Sequence, residues 1–247
     1  MIRILITNRK GGVGKTTTAI NLGAAFSLKG KTVLFVDLDT QSHLQIGLGF
    51  KKVFKKGIHK ALMDGDVEGI VHESPFDNLY LIAGDVNFDI TLLANKKSSL
   101  REILSNFDND FDICIIDTPP IGGKLLDDAF KSSDYALIPM QTEYLALVGA
   151  SQFLKAFYNV ITSDPDVGVK FLGVVPTLFN KSIKEHKIVI DKLKKIIGEK
   201  RVLPYIRKDF NLSKAFHEGK PIFYYKSNSR GATDYKRLAD FIQKQIL

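Results

Sequence analysis

Only one cysteine, Cys114, occurs in 247 residues, so the chain can close no internal disulfide. One thiolate also cannot by itself complete a zinc or iron–sulfur site. A cytosolic setting is the expectation. No apolar run approaches the ~20 residues that a membrane-spanning helix needs. The opening stretch, MIRILIT, is too short for the apolar part of a signal peptide. Internal repeats, low-complexity tracts and linkers are missing as well, which makes one domain over 1–247 the economical expectation. Acidic residues are in deficit: 27 Asp and Glu against 35 Lys and Arg give a formal charge of +8. The isoelectric point is about 9.3. Such an excess either serves solubility or marks a surface for nucleic acid or anionic lipid, and charge alone does not separate the two.

What is present is an ordinary apolar content of 45%, enough for a substantial core. It is arranged in short unbroken runs: IRILIT (2–7), TVLFVD (32–37), LYLIAG (79–84), FDICIID (111–117), YALIPM (135–140) and KFLGVV (170–175), with RVLPY (201–205) as one more candidate. Runs of this length, rich in Ile and Val and without strict alternation, suit strands buried on both faces of a parallel sheet. Helical spacing recurs between them, over 16–30, 89–107, 143–161, 182–198 and 231–247. The first of these ends at Gly30, a residue suited to stopping a helix. Alternating strands and helices predict an α/β fold, a single doubly wound, mostly parallel sheet flanked by helices.

The first strand runs into NRKGGVGKTTT (8–18) and then a helix, the context a phosphate-binding loop requires. Gly11, Gly12 and Gly14 give the backbone freedom to aim N–H groups at phosphate oxygens, and the helix N-terminus adds positive potential. Lys15 fits the β/γ-phosphate cation and the Thr16 hydroxyl fits a Mg²⁺ ligand. Arg9 stands where the usual pattern has its first glycine, and Lys10 is an extra cation the simple pattern does not need. Three aspartates fall at ends of buried strands, where open α/β sheets bind ligands: Asp37 and Asp39 in VDLDTQ, and Asp117 in ICIIDTPP. The last position is where a Walker B aspartate holds Mg²⁺.

KGGVGKTT, VDLDTQ and IIDTPP together resemble the deviant-Walker-A ATPases, the ParA/MinD superfamily, and GKPIFYYKSNSRGATDYKRLADFI (219–242) resembles the C-terminal part of its ParA/Soj branch. The similarity runs along nearly the whole chain. It implies a P-loop ATPase fold and ATP/ADP with Mg²⁺ as cofactors. Lys10, Gly11, Gly12, Val13, Gly14, Lys15, Thr16, Thr17, Asp37 and Asp117 would contact the nucleotide or its magnesium, with Thr16, Asp39 and Asp117 around the metal. Lys10 would be the signature lysine that reaches across an ATP-bound sandwich dimer to the partner's nucleotide. Lys10, Lys15 and Asp39 would carry catalysis, with Asp39 positioning or polarising the attacking water. Asp37 would support the Mg²⁺ shell and switch I, and TPPIGG (118–123) would be switch II. Thr40 replaces a proline common in the family after the D-x-D. Asn211 stands where many chromosomal members have a basic residue.

Within the superfamily, MinD-like members need a separate membrane-binding C-terminal helix, and reductase-like members need two cysteines. Members that regulate transcription carry an N-terminal extension, whereas here the phosphate loop begins within ten residues of Met1. The small ParA/Soj class is the branch that this leaves. The resemblance then implies an ATP-bound homodimer on nonspecific double-stranded DNA and a ParB-like centromere-binding protein that stimulates hydrolysis. It also implies a nucleoid-associated, cytoplasmic location without stable membrane insertion. The stretch 181–220 carries twelve Lys and Arg. Lys181, Lys184, Lys187, Lys208 and Lys214 are the candidates for DNA phosphates. A MinD-like or other positioning ATPase for a protein or membrane cargo is the alternative.

Overall fold

The computed structural model describes residues 1–120, 122–163 and 167–246. Seven strands form one sheet: β1 (Ile2–Ile6), β2 (Val33–Asp37), β3 (Val71–Glu73), β4 (Leu79–Ile82), β5 (Ile113–Asp117), β6 (Tyr135–Gln141) and β7 (Lys170–Thr177). Their order is β3-β4-β2-β5-β1-β6-β7. Every pairing is parallel except β3 with β4 at the edge.

Alternate residues of each buried strand feed opposite cores. Ile4, Phe35 and Ile115 enter one cluster, while Leu5, Leu34 and Ile116 enter the other. The first core is closed by α1 (Lys15–Ser27), α8 (Phe210–His217), α9 (Ile222–Lys226) and α10 (Arg230–Ile246). The second is closed by α3 (Ile58–Asp64), α4 (Leu100–Ser105), α5 (Lys124–Lys131), α6 (Tyr144–Ser163) and α7 (Lys184–Ile197). A short helix, α2 (His43–Gly47), follows β2. This is the doubly wound, mostly parallel α/β fold that the apolar runs predict, and the first six of those runs are strands of its sheet. The register sets Asp37 opposite Asp117 and Asp117 opposite Ile6, so three strand ends converge beside the first loop.

Several elements differ from the sequence expectation. The 89–107 helix divides into a 3₁₀ turn (Ile90–Asn95) and α4. Lys96 turns extended between them, and Ser99 opens α4 with a reciprocal capping box to Glu102. RVLPY is no sheet strand. It runs beside β7 with a single bridge, Val202 to Val174, since Pro204 has no N–H to extend a ladder. β3 is three residues long at an edge, and α2, α3 and α5 span only five to eight residues, too short for apolar periodicity to show. α1 stops at Ser27, and Gly30, with φ of 80°, forms the turn after it. Ile121 of the TPPIGG segment and Leu247 of the last predicted helix lie outside the described residues.

Candidate functional site: a phosphate loop between three strand ends

The loop between β1 and α1 takes its shape from Gly12 (φ 73°) and Gly14 (φ 88°), left-handed conformations that a side chain would strain. It is fastened on two sides. The Thr177 hydroxyl donates to the Val13 carbonyl at 2.9 Å, and the Asn8 amide donates to the Pro139 carbonyl at 2.8 Å. Lys15, at the start of α1, is buried, with Nζ donating to the Lys10 carbonyl at 3.4 Å. Burial lowers its pKa, and Asp117 and Asp39 oppose that shift. The Thr16 hydroxyl donates to Asp117 Oδ2 at 2.6 Å. Gly11, Gly14, Lys15, Thr16, Asp39 and Thr118 line a cavity of about 320 Å³.

The two carboxylates of VDLDTQ have different surroundings. Asp37 is wholly buried and accepts from the Asp39 and Leu44 backbone N–H groups, each at 3.0 Å. Both of its oxygens hold the turn into α2, so Asp37 acts on the loop rather than in the cavity. Burial, aided by the charge of Asp117, raises its pKa well above the carboxylate range. Asp39 is half-buried at the cavity wall, with Oδ1 accepting from the Gln41 N–H at 3.0 Å.

Asp117 is buried, and its Oδ1 has no hydrogen-bond partner. An orphaned carboxylate oxygen next to a hydroxyl that itself lines the cavity fits a hard cation that takes oxygen ligands. Among the described residues no cluster of three or more His, Cys, Asp or Glu could cage a metal. That donor set suits Mg²⁺, which keeps waters and phosphate oxygens in its shell. Burial pushes the Asp117 pKa up to about 7, against the pull of the Thr16 hydroxyl and Lys15. A carboxyl with a raised folded pKa costs stability progressively as pH climbs from about 4 to 7. Asp117→Asn is therefore expected to raise the metal-free melting temperature more at pH 8 than at pH 5. Thermal melts in chelator at both pH values check this, and equal shifts would contradict it.

Lys10 points elsewhere. Its Nζ donates to Gln141 Oε1 at 3.0 Å and pairs with Glu143 Oε2 at 3.1 Å, on the exposed rim of the loop. Gln141 in turn donates to the Gly12 carbonyl at 3.0 Å. The structure thus gathers Lys15, Thr16 and Asp39 around one cavity, with Asp117 buried behind the Thr16 hydroxyl. Val13 is buried beneath the loop and Lys10 sits at its rim. The phosphate candidates Lys181, Lys184, Lys187, Lys208 and Lys214 are exposed, on α7, α8 and the loops before them. Other cations of 181–220 are engaged within the chain: Arg207 makes a two-pronged pair with Asp234, and Lys194 pairs with Glu199.

Some residues around the site escaped sequence reasoning. His43 lines the phosphate cavity, together with Thr118 of the TPPIGG segment, whose place at the cavity the sequence does not single out. A second cavity of about 250 Å³ opens on the other side of Gly12 and Gly14, between Thr177, Leu178, Asp209 and Tyr235. Leu178 holds φ of 53° there, strained for a bulky side chain. These residues come from three distant segments, and although Tyr235 lies in the family-like 219–242 stretch, only the fold brings them together. Gly84, after β4, packs its Cα on the D-x-D turn: a Cβ would collide with the Asp39 carbonyl oxygen and lie 3.2 Å from that of Asp37. Gly84→Ala is expected to displace Asp39 and, with Asp39 in the role that the family resemblance implies, to slow ATP hydrolysis by about tenfold while ATP affinity holds. Unchanged turnover would contradict the close fit.

Comparison with known proteins places the chain in a family and matches its fold. The family described as AAA domain matches residues 1–167. The sporulation initiation inhibitor protein Soj of Bacillus subtilis is 35% identical over 243 residues, covering 96% of each chain. The chain belongs to the Soj/ParA family. The chromosome-partitioning ATPase Soj of Thermus thermophilus is 33% identical, over 99% of this Soj/ParA chain and 96% of its own. Among solved structures, the cell division ATPase MinD of Pyrococcus furiosus is 27% identical with a TM-score of 0.82, covering 99% of this chain and 100% of that one. MinD of Pyrococcus horikoshii, complexed with Mg-ADP, is 25% identical with a TM-score of 0.79, covering 99% and 96%. Among the described residues, no helix of this Soj/ParA member is long and apolar enough to cross a membrane.

Proposed function

We propose that the chain is a DNA-partition ATPase that binds ATP with Mg²⁺, dimerises around the nucleotide, and holds nonspecific duplex DNA until a ParB-like partner stimulates hydrolysis. The observation that carries this reading is the division of labour between the two loop lysines. Lys15 is buried against the phosphate cavity, whereas Lys10 leaves that cavity and rests at the rim on Gln141 and Glu143. An exposed ion pair of this kind is worth ~1 kcal/mol or less, so Lys10 can turn to a second nucleotide brought to the rim. Two nucleotides at one interface concentrate negative charge, which two such lysines offset.

Within one subunit, the loop N–H groups and Lys15 bind the phosphates, and the second cavity offers room for base and ribose. Thr16 and Asp117 would hold Mg²⁺, which screens the phosphate charge when bound. Asp39 orients the attacking water and Asp37 fixes the turn that carries Asp39. The likeness to a chromosome-partitioning ATPase over the full chain supports partition as the task. The MinD likeness keeps a positioning ATPase for a protein or membrane cargo as the second reading.

Exposed Lys181, Lys184 and Lys208 test the DNA half. Replacing the three with Glu is expected to weaken binding to every duplex sequence alike, with ATP-dependent dimerisation intact. The slope of log affinity against log salt should shrink by about 0.9 for each phosphate that is no longer neutralised. Polarisation across a salt series checks it. Unchanged affinity and slope would move the DNA surface away from α7 and the start of α8.

A further inference from the structure

Between Asp39 and Asp64 the chain has no acidic residue, and the loop FKKVFKKG (50–57) within that span carries four lysines. The structure sorts them. Lys56 is tied to Asp64 and Asp66, and its neighbour Lys60 lies 3.8 Å from Asp85. Lys51, Lys52 and Lys55 are exposed and, among the described residues, have no acidic partner. The loop is fixed in place. Phe50 and Phe54 tuck against the first core, Phe54 stacks on His72 with ring centroids 3.6 Å apart, and the Lys52 carbonyl accepts from the Gln45 amide. The aromatic residues face in and the lysines face out.

This loop is also joined to the basic C-terminal part. A Cβ on Gly49 would come within 2.8 Å of the Gly219 carbonyl oxygen, and His43 of α2 meets Phe216 of α8 edge to face. Lys51 and Lys52 follow Gly49 by two and three residues and Lys220 follows Gly219 directly, so exposed lysines flank this close backbone contact on both segments, with exposed Glu218 between Lys214 and Gly219.

We propose that Lys51, Lys52 and Lys55 form a second phosphate-binding strip, continuous with Lys214 and Lys220, that extends the grip on duplex DNA. This rests on the DNA reading above and deepens it. A pinned loop of unpaired ammonium groups suits a rigid polyanion, because the loop backbone loses little freedom on binding and the lysines release counterions from the duplex. A lipid surface suits it less. Loops that enter a bilayer interface present their aromatic residues outward, and here both phenylalanines are turned into the protein, with only Val53 prominent at 70% exposure.

The test is a variant of the full chain, Lys51→Gln, Lys52→Gln and Lys55→Gln, measured with ATP and Mg²⁺ by polarisation on a fluorescent random duplex. Its affinity at about 100 mM salt is expected to fall at least tenfold, and the salt slope to shrink by about 2 or more. Melting temperature and ATP-dependent dimer mass should match wild type, which separates weakened DNA binding from misfolding. Lys51→Glu alone should show a smaller effect in the same direction. Wild-type affinity and slope in the triple variant would overturn the strip while the DNA reading stands. Wild-type protein that binds no DNA with ATP would overturn both. Unchanged DNA binding together with abolished binding to phosphatidylglycerol vesicles would assign the loop to lipid and overturn the proposal.

Discussion

Lys10→Ala should bind ATP with an affinity within a few-fold of wild type and remain a monomer. The phosphate cavity is built from the loop backbone, Lys15 and Thr16, and Lys10 Nζ does not line it. Its present partners are exposed: the Lys10 side chain is 48% accessible and that of Glu143 57%. Removing the side chain therefore leaves no buried charge unpaired in the monomer. In a dimer the same change is severe, because each nucleotide would lose a cation from a desolvated interface. Leaving one partner of a buried charge pair alone costs about 3–5 kcal/mol, a weakening of dimerisation by at least about a hundredfold. Light scattering in ATP reads the dimer and polarisation of a fluorescent ATP analogue reads binding. A dimer of normal strength would remove the trans role of Lys10, and abolished ATP binding would return Lys10 to its own cavity.

Asp39→Ala is expected to separate binding from hydrolysis. The carboxylate lies at the cavity wall and is held through one backbone N–H, from Gln41. Its removal leaves the Thr16–Asp117 pair, the Lys15 position and the Asp37 hydrogen bonds in place. On the proposed reading, what goes is the group that orients water, and positioned acid–base groups contribute about 10²–10⁴-fold. Turnover should fall by that factor, and the variant should accumulate as an ATP-bound dimer in size exclusion. A variant that hydrolyses at the wild-type rate would place the catalytic role elsewhere.

Position at the end of β2 does not distinguish Asp37 from Asp39; only the family resemblance does, and it implies that Asp37 supports the Mg²⁺ shell. Burial separates them. Asp37 spends both oxygens on backbone donors, while Asp39 faces the cavity. The phosphate loop and the central strands were legible because glycine positions and continuous apolar runs act locally. The second cavity was not, since Thr177, Asp209 and Tyr235 meet only through the fold. Nor could charge counting tell Arg207, locked onto Asp234, from exposed Lys208 beside it. The divided 89–107 segment shows the limit of periodicity: its apolar spacing continues across Lys96, but the Ser99 capping box starts a new helix.

The most direct measurement is polarisation of a fluorescent random-sequence duplex titrated with the wild-type chain in ATP and Mg²⁺, in ADP and Mg²⁺, and without nucleotide, each over a salt series. A nucleotide-driven dimer doubles the phosphates neutralised, so affinity should rise steeply with ATP alone, fall linearly with log salt, and show no preference among duplex sequences. Equal binding in all three states, or binding insensitive to salt, would contradict an ATP-switched grip on DNA.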